Sequence, residues 1–185
     1  MNTSGIELGT IAFGLLVGRV IIGLVMAAHG TQKLFGWFGG YGLNKTGEFF
    51  VHLGFQQGQR FAAAASVTEI LSGLLIALGL GGPIGPALMI SVMLVAAVTV
   101  HWEHGLFAGD NGIEVPLLYA TAALVFALGG YGRYALDSVL GIGDFWTATL
   151  TWLVLGAGVL GAIGNLALRH RAAPATETAH ADRNR

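Results

Sequence analysis

The chain has 185 residues, 54% hydrophobic and only 10% charged, with a mean hydropathy of +0.70 and a formal net charge of −1. A soluble domain carries roughly 25% charged residues, so this chain lacks the charge to cover a water-facing surface and reads as an integral membrane protein. The near-neutral charge argues against a nucleic-acid partner, and the lack of cysteine excludes a disulfide framework or a thiol relay within the chain.

The first ten residues, MNTSGIELGT, contain no Lys or Arg. No basic region precedes the long apolar run that follows, so that run reads as a retained transmembrane helix rather than a signal peptide. A spanning helix needs about 20 apolar residues. Four segments qualify within 11–141, at 11–34, 61–80, 84–101 and 115–131, the last near the short limit. A fifth lies within 142–168, from about residue 146. Helices are expected because lipid offers no partners for open backbone groups. The breaks fall at GLGGPIGP, HWEHGLFAGDNGIE and GRYALDS. The remaining segment, 169–185, is polar and reads as a disordered tail.

The first loop carries Trp37, Phe38, Tyr41, Phe49, Phe50 and Phe55. Phe49, Phe50 and Leu53 share a helical face, which predicts a short amphipathic helix in the membrane interface. Five spans put the first loop, the third loop and the tail on one side. That side holds Lys33, Lys45, Arg60, Arg169, Arg171, Arg183 and Arg185, while the other holds Arg133. The bias predicts an external N-terminus and a cytoplasmic C-terminus. Small residues four apart, Gly14 with Gly18, Ala157 with Gly161 and Gly158 with Ala162, suit close contacts between helices or between copies of the chain. Chance spacing among 30 glycines is the competing reading.

Arg19 and Glu69 fall inside spans, where each costs about 2.5–3.5 kcal/mol on insertion scales. Counted from the first-loop side, Arg19 lies ~22 Å deep, Glu69 ~12 Å and His29 ~8 Å. Depth therefore favours His29 and Lys33 as partners for Glu69. Arg19 either faces the bundle interior or snorkels toward the outer headgroups. The topology also gathers His29, Gln32 and Lys33 with His101, Glu103, His104, Asp110 and Glu114 at one face. The other face holds little beyond Arg133, Asp137 and Asp144. Acid, base and amide groups over an apolar bundle suit a quinone-like head group or proton transfer. In HWEH, His101 and His104 could share a metal if the helix continues. The motif is not HExxH and has no cysteine partner, so no metal is assigned. No P-loop ending in GK[ST], GxSxG or internal repeat is present.

Three stretches in order, GRVIIGLVMAAHGTQKLFG, HWEHGLFAGDNGIEVPLLY and GGYGRYALDSVLG, resemble the DoxX family of small bacterial membrane proteins over residues 15–141. The resemblance implies an all-α, polytopic bundle of four helices in the bacterial inner membrane, to which this chain adds a fifth. It also implies an association with redox biology. Some relatives are named for a subunit of a thiosulfate:quinone or quinol-oxidising system, and others are proposed to assemble with superoxide dismutase and a sulfurtransferase. The positions matching recurrent polar motifs are Arg19, His29, Gly30, Gln32, Lys33, Glu69, His101, Glu114, Arg133, Tyr134 and Asp137. Of these, Arg133 and Asp137 stand at i, i+4 and read as a structural ion pair on a short helix.

The expected function is a redox-associated membrane subunit that binds a quinone or similar small molecule and receives electrons from a partner. A non-catalytic scaffold recruiting soluble redox enzymes and a small-solute permease are the alternatives. Catalysis by this chain alone ranks last, because no nucleophile or cofactor motif is visible.

Overall fold

A computed structural model describes residues 3–169, so the polar tail beyond Arg169 lies outside the described residues. Seven α-helices follow in order: α1 Thr3–Phe35, α2 Gly42–His52, α3 Gly58–Leu78, α4 Ile84–Ala96, α5 Glu114–Gly129, α6 Leu136–Val139 and α7 Ala148–Ala167. The described residues contain no strand. The chain is a polytopic membrane helical bundle. Leu8–Phe35, Gly58–Leu78, Ile84–His104 and Ala148–Ala167 are each long and apolar enough to cross a bilayer. Their outer faces present Ile11, Phe13, Ile21, Leu153 and Leu160, as expected of helices solvated by lipid.

The fourth expected span is shorter than the sequence suggests. α5 has 16 residues, or ~24 Å, against a hydrocarbon core of about 30 Å. It ends at Gly129 rather than at residue 131, because Gly130 takes φ +76 and turns the backbone out of the helix.

The first loop forms α2 as expected, entered through a tight reversal. Gly36 (φ 76) stops α1, and its N–H still bonds to the Gln32 carbonyl. Phe38 also adopts a left-handed conformation (φ 51), which is uncommon without a glycine. The far end of the chain returns to this loop: Arg169, just past α7, donates through Nε to the Leu53 carbonyl just past α2. The ends of α1 and α7 therefore share one side of the bundle, hereafter the α2 face. The α3–α4 turn, α6 and the start of α7 form the opposite α6 face.

In α1, close helix approach falls on glycines that the small-residue spacing did not single out. At Gly23 an added Cβ would lie 2.6 Å from the Ala77 nitrogen, and at Gly30 it would lie 2.7 Å from Ile70 Cγ1. These two glycines let the backbones of antiparallel α1 and α3 nearly touch. Gly158 does the same for α7 against Ala87 of α4, with Ala162 buried one turn on. Gly14 faces open space, and Gly18 meets only the Phe126 ring of α5 at ordinary contact distance, so that pair seats no close backbone approach among the described residues. Met26, Ile76, Met89, Val92, Ala123 and Phe126 fill the core between α1, α3, α4 and α5.

Candidate functional site

The α1–α3 crossing carries the most unusual side-chain pair in the bundle. Lys33 Nζ donates to Glu69 Oε1 as an ion pair. Glu69 sits mid-helix and is 1% exposed, whereas 35% of the Lys33 side chain remains accessible. The pairing follows from helix geometry. Side chains lean toward the N-terminus of their own helix. In antiparallel helices, Lys33 leans inward along α1 while Glu69 leans toward the α2 face along α3. They converge at the level of Gly30 and Ser66, one of the points where the two backbones approach closely. The second carboxylate oxygen, Oε2, is buried and has no hydrogen-bond partner among the described residues.

The same rule separates Arg19 from Glu69. Arg19 leans toward the α6 face and Glu69 away from it. Arg19 is 2% exposed, so it is not snorkelling. Its Nη1 donates to the Ala77 carbonyl at the end of α3, and its Nη2 donates to the Tyr134 carbonyl at 2.7 Å. A guanidinium on the last carbonyls of a helix satisfies orphan acceptors and complements the helix dipole. Arg19 thus leaves the candidate site and joins the scaffold.

Beside the ion pair, the His29 ring meets Tyr119 edge-on at 6.0 Å between centroids. Tyr119 also lies within the electrostatic reach of Glu69. The sequence reading missed Tyr119, although it stands five residues inside α5 from Glu114. The remaining candidates are held by local bonds. Gln32 donates to the Phe38 carbonyl at 3.2 Å and pins the reversal after α1. Glu114 accepts from the Ala108 N–H at 2.8 Å and closes the α4–α5 loop. His101 Nδ1 bonds the Asn111 carbonyl at 2.7 Å, and His104 Nδ1 bonds the Val100 carbonyl at 3.0 Å. After Ala96 the backbone passes through a π-helical turn, Ala97–His101, and a 3-10 turn, Trp102–His104, so the two histidines do not share an α-helical face. Among the described residues, no three His, Cys, Asp or Glu side chains gather closely enough to hold a metal ion.

Two expectations for the α6 face need correction. The face is not sparse, and Arg133 does not pair with Asp137. α6 begins only at Leu136, so the two residues never occupy one helix. The Asp137 carboxylate, 4% exposed, instead accepts from the Gly81 N–H at 2.9 Å and the Gly82 N–H at 2.7 Å. Tyr131 donates to the Gly82 carbonyl at 2.7 Å, and the Asp137 N–H donates to the Gly79 carbonyl at 3.0 Å. Arg133 lies exposed, with its guanidinium 4.9 Å from the centre of the Tyr134 ring. The glycines of the α3–α4 turn make this lock possible. Gly79, Gly81 and Gly82 all take positive φ, and a side chain on Gly82 would strike the Trp146 ring.

The geometry separates the polar residues into two sets. The α2 half holds a buried carboxylate with one free oxygen beside an ammonium, an imidazole and a phenol. The α6 half holds two buried charges, Arg19 and Asp137, engaged by backbone groups. Residues 14–102 match the DoxX family model, which covers most of α1 and continues through α2, α3 and α4 to Trp102. The stretches of the resemblance from 103 to 141 lie beyond the matched residues. No curated protein and no solved structure matches the chain.

Proposed function

We propose, for a chain that belongs to the DoxX family through residues 14–102, a redox-associated membrane subunit that binds a quinone-like small molecule beside Lys33 and Glu69 and transfers protons there. The observation that supports this reading is the free Oε2 of Glu69, buried inside a membrane span. Ionisable groups at such depth are costly and mark ligand or proton pathways. Structural duty alone would favour a carboxylate with both oxygens satisfied, as Asp137 is.

The residues fit a ring bearing carbonyl or hydroxyl oxygens. Lys33 supplies donors and Glu69 Oε2 an acceptor, and the apolar helices around them suit the body of such a ligand. The bound group would supply two-electron, two-proton chemistry. This chain's part is to hold the head group and to take up or deliver a proton at Oε2. The exposed third of Lys33 connects that position to the α2 face. The chain has no cysteine, and its electrons come from a soluble partner enzyme. By the positive-inside bias, Lys33, Lys45, Arg60 and Arg169 support a cytoplasmic α2 face in a bacterial inner membrane, with the N-terminus outside.

The test is equilibrium binding of a short-chain ubiquinone to the purified protein in detergent. Saturable binding that weakens in Glu69→Gln, with Gly14→Ala as an unaffected control, is the expected result. No saturable binding, or an unchanged affinity in Glu69→Gln, overturns the reading.

A further inference from the structure

The α6 half contains a second cleft, unrelated to Glu69. At the interface, a cavity of about 440 Å³ is lined by Tyr131, Ser138, Trp146, Thr151 and Trp152. Deeper in the bundle, a groove of about 550 Å³ runs between α4, α5 and α7, walled by Ile90, Leu94, Leu124, Leu155 and Val159. Trp152 lines both, and Thr151 of the upper cavity stands one turn from Leu155 of the groove, so the two adjoin along α7. Together they form a path that is polar at headgroup depth and apolar toward the bilayer centre. From Trp152 to Val159 the groove follows α7 for ~10 Å. Leu124, Trp152 and Val159 are partly exposed along it, so it opens sideways to lipid.

Two groups in the upper cavity point to what it takes. Thr151 is 7% exposed and lines the cavity, yet its hydroxyl has no hydrogen-bond partner among the described residues. A helical threonine ordinarily bonds the carbonyl one turn back, as Thr68 and Thr99 do here. The Trp146 indole N–H, in the same wall, also has no partner among the described residues. Two donors lack acceptors, while the nearby acceptor groups, Asp137 and the Gly82 carbonyl, are already engaged. Arg133, next in the chain to Gly132 of the cavity wall, is exposed and has no carboxylate partner among the described residues.

We propose that this cleft is a binding site for one glycerophospholipid. An ester carbonyl accepts from Thr151 in the polar cavity, one acyl chain lies in the α4–α5–α7 groove, and the phosphate meets Arg133 at the rim. The short α5 leaves the room: it stops before the interface and leaves α7 held mainly by α4.

The test uses the full-length protein purified in mild detergent and examined by native mass spectrometry, with titration of phosphatidylglycerol carrying brominated acyl chains. The expected wild-type result is one retained phospholipid per chain and saturable quenching of tryptophan emission. Gly156→Phe projects a ring into the groove from a position with no neighbour within 4 Å, so the fold should survive. It should abolish both signals. Thr151→Val, which keeps the shape and removes the donor, should weaken binding about 2- to 10-fold. Arg133→Gln should reduce the preference for phosphatidylglycerol over phosphatidylcholine. Equal lipid retention and quenching in wild type, Gly156→Phe and Thr151→Val, all with unchanged melting temperature, would show only bulk bilayer contact and overturn the site.

Discussion

Replacing Lys33 by Met should cost more than replacing Glu69 by Gln, although both changes break the same ion pair. Glu69 is 1% exposed and cannot reach water, whereas Lys33 keeps 35% of its side chain accessible. Lys33→Met strands a carboxylate whose two oxygens then both lack a partner. Leaving one member of a buried pair uncompensated costs about 3–5 kcal/mol. Glu69→Gln keeps the shape of the side chain and leaves an ammonium that can swing toward the α2 face. Its cost is the lost charge-assisted hydrogen bond, at the low end of about 1.5–3 kcal/mol because the partner rehydrates. The double variant removes the stranded charge and should resemble Glu69→Gln, so the coupling energy should equal the Lys33→Met cost, about 3–5 kcal/mol. Unfolding in mixed micelles by increasing SDS, followed by far-ultraviolet circular dichroism, measures all three. Equal costs for the single variants, or strict additivity in the double, would refute the asymmetry drawn from burial.

The remaining predictions use the same unfolding assay. Arg19→Leu leaves the Ala77 and Tyr134 carbonyls without their guanidinium donor and should lose about 1.5–3 kcal/mol for each bond to the charge. Arg19→Lys should recover only part of it, because one ammonium cannot reproduce the two-pronged fork. Gly30→Leu should disrupt the α1–α3 crossing by about 3 kcal/mol or more, whereas Gly14→Leu, with nothing within 4 Å, should be near neutral. Asp137→Asn should cost about 1.5–3 kcal/mol through its bonds to the Gly81 and Gly82 amides. Arg133→Ala should stay within about 0.5 kcal/mol, and a cycle between the two should show no coupling.

Much of the site was legible as composition and depth. Lys33 and Glu69 were favoured as partners because residues on adjoining membrane ends come to similar levels. Tyr119 was not, since a tyrosine in an apolar run carries no signal of its own until α5 is rotated against α1. Arg133 and Asp137 show the reverse error. Their i, i+4 spacing means contact only on a continuous helix, and the backbone is not helical until Leu136. Gly14 and Gly18 had the right spacing, yet Gly14 meets nothing within 4 Å and Gly18 only the Phe126 ring, because spacing cannot say which face meets a neighbouring backbone.

The sequence by itself determined the class of protein, its long apolar helices and which polar residues share one end of the bundle. Those properties follow from hydrophobic runs about as long as the bilayer is thick, and from chain connectivity, which forces alternation of sides. The tertiary structure alone decided which buried charge answers to which group. Two antiparallel helices whose side chains lean toward opposite membrane faces brought Lys33 to Glu69 and sent Arg19 to the carbonyls at the end of α3. That choice depends on the register set at Gly23 and Gly30, where the absence of a side chain lets the backbones meet.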